Sequence, residues 1–262
     1  MKRYVRLYLY FLRFSFSKAM EFRLDFTFRI IMDCIYYLVN ILFFKVIYLH
    51  TPVLGGWRED EIMVFVGAYL LVDAINMTVF STNLWWLPWL INKGELDYYL
   101  IRPVRPLFFL SLREFSANSF LNLLIAGGFL GYALSHYQGE FSLGDAFLFI
   151  LLILNGTLLY FCIQMLTILP VFWTQSTRGF VDLFYTLGLA MERPHRIYKG
   201  FFKVLFTTIL PFALIASFPV QIFLEGADPM TMLHLSVVTI VFFSLLNFVW
   251  SLGLKNYSSA SS

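Results

Sequence analysis

Asp73 sits near the middle of an apolar run, with Asn76 and Thr78 close by, and a carboxylate there needs a partner or water. Asp33 follows Arg29 by about one helical turn, so the two can pair on one face. Asn118 and Asn122 share a face of a later apolar run, and Asn155, Thr157 and Gln164 mark the next. Such groups can line a translocation path or a subunit interface. They can equally tie helices together, each hydrogen bond being worth roughly 0.6 kcal/mol. For Asp73, Asn76, Asn118 and Asn122 both readings stand.

Catalytic chemistry is poorly supported. No G-x-x-x-x-G-K-[ST] stretch is present to cradle a nucleotide phosphate, and no G-x-S-x-G to present an acyl-transfer nucleophile. His50, His136, His195 and His234 lie far apart, and no Cys/His spacing suggests zinc. Cys34 and Cys162 fall inside apolar runs and read as small apolar residues. No cofactor or metal site is expected.

These polar groups are set in an unusually apolar chain. Of its 262 residues 60% are hydrophobic and only 13% charged, with 31 phenylalanines, more apolar surface than a small soluble core could hide. The expected class is all-α integral membrane. Crossing about 30 Å of hydrocarbon takes about 20 apolar residues as a helix. Six such runs are expected: 26–49, 62–81, 107–134, 146–172, 201–224 and 232–254. Together they make one membrane domain over 1–262, with long connections at 82–106 and 173–200.

Basic residues set the orientation. All of the 19 Lys and Arg except Arg58 and Lys45 fall at the N-terminus, in the two long connections and their edges, or at the C-terminus. The three short connections instead collect Glu59, Asp60, Glu61, Glu140, Asp145, Glu225 and Asp228. Both termini are therefore expected on the cytoplasmic side. No cleavable signal peptide is evident. On a helix Lys2, Arg6 and Arg13 fall within about 40° of one another, and the residues around them are largely apolar or aromatic. That pattern predicts an interfacial amphipathic helix within 1–24; the other reading is a ragged start to the first span.

At INKGELDYYLIRPVRP, preceded by Trp85, Trp86, Pro88 and Trp89, the chain resembles the cytoplasmic loop of ABC-2 type permeases. The likeness is to a branch encoded beside a separate ATPase and often a second permease. It continues through ERPHRIYKGFFKVLFTTILPFALIASFPVQIFL and ends in LKNYSSASS. The resemblance implies a half-transporter in the cell inner or plasma membrane. It would pair with a second permease subunit, the same chain or a different one, and dock on an ABC ATPase that binds the ATP. Nucleic acid has no part in it.

The same likeness assigns an ATPase-coupling loop to Gly94, Glu95, Leu96, Asp97, Leu100, Arg102 and Pro103. Gly94 allows a sharp turn, and Asp97 to Leu100 can form a helical turn ended by Pro103. A polar loop that merely solvates the membrane face is the alternative. The connection 173–200 either touches the ATPase or anchors the next span. Pro211 and Pro219 suggest a kinked or broken fifth span, with Pro219 beginning a re-entrant outer segment as in the family. Two other functions remain open: a secondary transporter or channel, and a membrane scaffold that anchors a partner.

Overall fold

In a computed structural model the described residues are 6–13, 23–116 and 119–258, without the side chains of 23–26 and 29. Asn118, the side chain of Arg29 and the ends of the chain lie outside them. Among the described residues the fold is all-helical, with no strand beyond an isolated bridge between Leu54 and Trp57.

Helix α1 (6–13) is followed by α2 (Arg23–Tyr48). Helix α3 (Glu59–Asn76) begins with Glu59, Asp60 and Glu61, whose charges suit the positive end of the helix dipole. It runs through a π-helical turn (Met77–Ser81) into α4 (Thr82–Asn92), giving 34 helical residues, about 51 Å. The apolar stretch TNLWWLPWLIN thus extends the second helix and is not part of a connection as expected. It buries Leu84, Leu87, Leu90 and Ile91 in a core cluster with α8 and α13.

Beyond Asn92 come the short α5 (Asp97–Leu100), α6 (Pro106–Leu112) and α7 (Phe120–His136). The expected third run is therefore interrupted. Its exposed backbone is satisfied by the preceding helix: the Asn83 side chain donates to the Glu114 carbonyl at 2.7 Å and accepts from the Glu114 amide at 2.9 Å. The Ser116 amide donates to the Thr78 carbonyl at 2.8 Å, and the Thr78 hydroxyl reaches the Ser119 carbonyl at 3.0 Å. Irregular backbone at such depth survives where protein supplies its partners.

Helix α8 (Leu143–Ile168) starts with a capping box between Ser142 and Asp145 and continues as α9 (Val171–Thr174). Next are α10 (Arg178–Gly188) and two 3₁₀ turns, Leu189–Glu192 and His195–Ile197. Helix α11 (Gly200–Val204) with a π turn (Leu205–Ile209) leads to α12 (Ala213–Glu225), and α13 (Pro229–Asn256) closes the fold behind an Asp228 cap.

The expected break of the fifth span, 201–224, is present, the chain bending by 95° between Ile209 and Ala213, while two placements are corrected. Pro211 disfavours the helical region for the residue before it, and Leu210 leaves that region at φ −124°, ψ 78°. Pro219 lies inside α12 and starts nothing. The second correction concerns 173–200, expected wholly at one end. Asn92 donates to the Gln175 carbonyl at 2.9 Å, whereas Pro194, Arg196 and Ile197 pack around Gly55 at the far end of the α3–α4 rod. The segment between them therefore runs along the bundle. Gly55 holds φ +62°, a left-handed value that suits glycine at this tight approach.

The bundle thus has a Trp57 end and an Asn92 end. Arg196 pairs with Glu225 at the first, and the Gln138 amide donates to Asp60 there at 3.1 Å. At the second, Asn256 donates to the Phe172 carbonyl at 2.8 Å. Helix α3 packs on α7, α8 and α12, and α8 on α12 and α13, leaving broad apolar faces of α2 and α13 exposed.

Candidate functional site

The Asn92 end carries the loop 93–105. Gly94, at φ +72°, reverses the chain, and the Glu95 amide closes back on the Leu90 carbonyl at 2.9 Å. Leu96, 0% exposed, plugs into the core beneath. Tyr99 packs on Phe109 with ring centroids 5.7 Å apart, receives a hydrogen bond from Arg113, and lies 5.7 Å from the Arg102 guanidinium. What points away is different: Tyr98 is 67% and Ile101 82% exposed, beside exposed Arg102, Pro103 and Arg105. An aromatic and an aliphatic side chain exposed among arginines on an anchored loop have a composition common at protein interfaces. Helix α1 adjoins it, Phe11 meeting Phe109 edge-on at 5.2 Å. Of the residues expected in this loop, Leu96 faces inward, Leu100 is half-buried, and Glu95 and Asp97 are half-exposed.

Deeper in the bundle a cavity of about 360 Å³ lies between α2, α3, α7, α8 and α10. It gathers Asp33, Asp73 and Glu192, with Tyr36, Tyr69 and Asn122 among its lining. The Tyr36 and Tyr69 hydroxyls touch, and each lies 3.1 Å from Glu192 Oε1. Asn122 donates to Asp33 Oδ2 from α7, and its own Oδ1 is buried without a hydrogen-bond partner among the described residues. Asp73, 8% exposed, has no hydrogen bond among the described residues.

A family model described as ABC-2 family transporter protein matches residues 34–261. The chain belongs to the ABC-2 transporter family. No protein with a curated description and no solved structure matches it. As an ABC-2 transporter protein it is a multi-pass membrane component of transport and is not itself catalytic.

Within this ABC-2 chain the polar residues singled out by sequence separate into two groups. Asp73 and Asn122 meet in the cavity, joined there by Asp33. Asn76 does not: its side chain donates to Ser81 at 3.2 Å and Gln164 at 3.1 Å, tying α3 to α8. Asn155 likewise donates to Thr239 of α13 at 3.1 Å. Tyr36, Tyr69 and Glu192 were missed by the sequence reading. Asp33 with Tyr37, and Tyr69 with Asp73, stand four apart and share helix faces, which was the available signal. Among the described residues no group of three His, Cys, Asp or Glu side chains is placed to hold a metal ion.

At the Trp57 end His195 is buried against Trp57 and Phe218, with ring centroids 6.1 and 4.7 Å away. Its amide donates to Ser217 Oγ at 3.0 Å, and Nδ1 lies 2.7 Å from the same oxygen. Burial, then the nearby charges of Arg196 and Lys203, lower its pKa to about 4. It is a neutral clamp that holds 195–197 onto α12.

Proposed function

We propose that this chain is the permease subunit of an ATP-driven exporter. Two permease subunits, of this chain or of this and another, form the path, and a separate ATPase supplies the energy. The observation that carries the reading is family membership in a chain with no P-loop of its own, together with the exposed Tyr98–Ile101–Arg102–Pro103 face at the Asn92 end. Nucleotide-driven closure of the ATPase presses on this face. Because Leu96 and Tyr99 root it in the core, the push passes into α4, α6 and α13.

In this reading the bilayer is crossed six times: by α2, by α3–α4, by α6–α7, by α8, by residues 178–192 and by α13. The Asn92 end is cytoplasmic, in line with Lys93, Arg102, Arg105 and Lys255 there. Both termini lie on that side, with α1 in the interface. The bent pair α11–α12 then enters and leaves from the outer face. The three membrane carboxylates also suit a secondary transporter, the reading that survives if no ATPase is found.

The deciding experiment is affinity purification from the native host in mild detergent. A nucleotide-binding subunit in stoichiometric amount is expected, and any second permease would come with it. Reproducible recovery of the intact chain without such a subunit overturns the ATP-driven reading.

A further inference from the structure

Three carboxylates face one cavity, and its lining contains no Lys, Arg or His among the described residues. The nearest arginine in sequence, Arg193, is turned elsewhere: its guanidinium lies 4.2 Å over the Phe43 ring. Removing a carboxylate from water is costly unless a counter-charge or hydrogen bonds replace the solvent. Glu192 has its two tyrosine hydroxyls and Asp33 has Asn122. Asp73 has neither, and Asn122 Oδ1 also lacks a partner. Two acceptors of the lining, the Asp73 carboxylate and the buried Asn122 Oδ1, therefore have no hydrogen-bond partner among the described residues.

The rest of the wall is aromatic. Tyr37, Tyr160, Phe184 and Tyr185 line it, with Tyr160 and Phe184 stacked at 5.8 Å. Ring faces attract cations, the more so where water is excluded. The three carboxylates do not form a group placed to hold a metal ion among the described residues. Three carboxylates, ring faces and a volume of about 360 Å³ suit a larger, diffuse positive charge.

We infer that this cavity binds an organic cation, an ammonium or amidinium group on an apolar body, with Asp73 and Glu192 as its counter-charges. The cation enters between α2 and α10, where Tyr185 and Leu189 are exposed at the rim. Taken as cargo it rests on the permease reading above; as binding it stands on the chain alone.

The test uses the full chain in lipid nanodiscs without any ATPase. Saturation-transfer NMR and calorimetry compare benzyltrimethylammonium with its neutral isostere neopentylbenzene. The cation is expected to bind saturably and the isostere at least tenfold more weakly. Asp73→Asn and Glu192→Gln should each weaken cation binding about tenfold, while Asp60→Asn at the Trp57 end leaves it unchanged. Thermal midpoints of the same samples check that each variant is folded, and if Asp73→Asn is not, Glu192→Gln carries the comparison. No saturable binding, equal binding of cation and isostere, or wild-type affinity in the folded variants overturns the site. Recovery of an ATPase partner is a separate readout, so either conclusion can fail alone.

Discussion

Gly156 of α8 lies directly under the Ile215 carbonyl of α12: a Cβ at Gly156 would meet that oxygen at 1.9 Å. The contact is side chain against backbone, so no rotamer change relieves it, and the helices must separate. Gly156→Ala should lower stability by about 3 kcal/mol, at the upper end of ordinary overpacking. Gly128→Ala, with nothing within 4 Å, should change little. Thermal unfolding in detergent measures both; equal midpoints for the two variants would show that α12 does not dock on α8 as described.

The loop at the Asn92 end separates anchoring from docking within a few residues. Leu96→Ala removes a fully buried side chain and should cost about 3 kcal/mol. Tyr98→Ala with Ile101→Ala strips exposed groups and should leave the midpoint nearly unchanged while cutting recovery of the ATPase subunit at least tenfold. Glu95→Gln with Asp97→Asn should leave the complex assembled but uncouple ATP hydrolysis from transport. Undiminished recovery of the ATPase with the Tyr98/Ile101 double variant would remove this face from the proposed interface.

Long uninterrupted apolar runs such as α2, α8 and α13 were legible because composition alone forces them into helices of spanning length. The break near Pro211 was legible from its ring, though the direction of the chain after it was not. The stretch 173–200 presents itself in sequence as a connection because Arg178, Asp182, Glu192, Arg193 and Arg196 interrupt its apolar residues. Its polar groups are offset by partners elsewhere in the chain, Tyr36 and Tyr69 for Glu192, which no local pattern reveals. The cavity was half legible for the same reason. Asp33, Asp73 and Asn122 stand out in apolar runs, while the third carboxylate, Glu192, comes from 173–200, which the sequence presents as a connection.

His195 gives a pH signature. Its pKa in the folded chain, about 4, lies below the ordinary 6.5. Between those values the unfolded chain takes up a proton that the folded chain refuses, so stability falls as pH drops. The penalty is absent above about pH 7, grows by about 1.4 kcal/mol per unit and reaches about 3 kcal/mol near pH 4. The midpoint of the native chain should drop between pH 7 and 5, and that of His195→Gln should drop less. Parallel profiles would show that His195 is not held neutral by its burial against Trp57.

The course of the chain between Gln175 and Arg196 yields the sharpest topological prediction. Gln175 meets Asn92, and Arg196 pairs with Glu225, so positions about twenty residues apart lie at opposite ends of a rod long enough to cross a bilayer. In a background with Cys34→Ser and Cys162→Ser, Ser176→Cys should react with a membrane-impermeant maleimide only after the cytoplasmic face is opened. Ile197→Cys and Gly226→Cys should react in intact cells, since Ile197 sits beside Gly55 and Gly226 follows Glu225 at the Trp57 end. Ile101→Cys, exposed on the docking loop, should behave like Ser176→Cys. Labelling of Ser176→Cys and Ile197→Cys from the same side would return the whole segment to one surface. It would also remove Glu192 from the membrane cavity, because that carboxylate reaches Tyr36 and Tyr69 only if this stretch passes between the two ends.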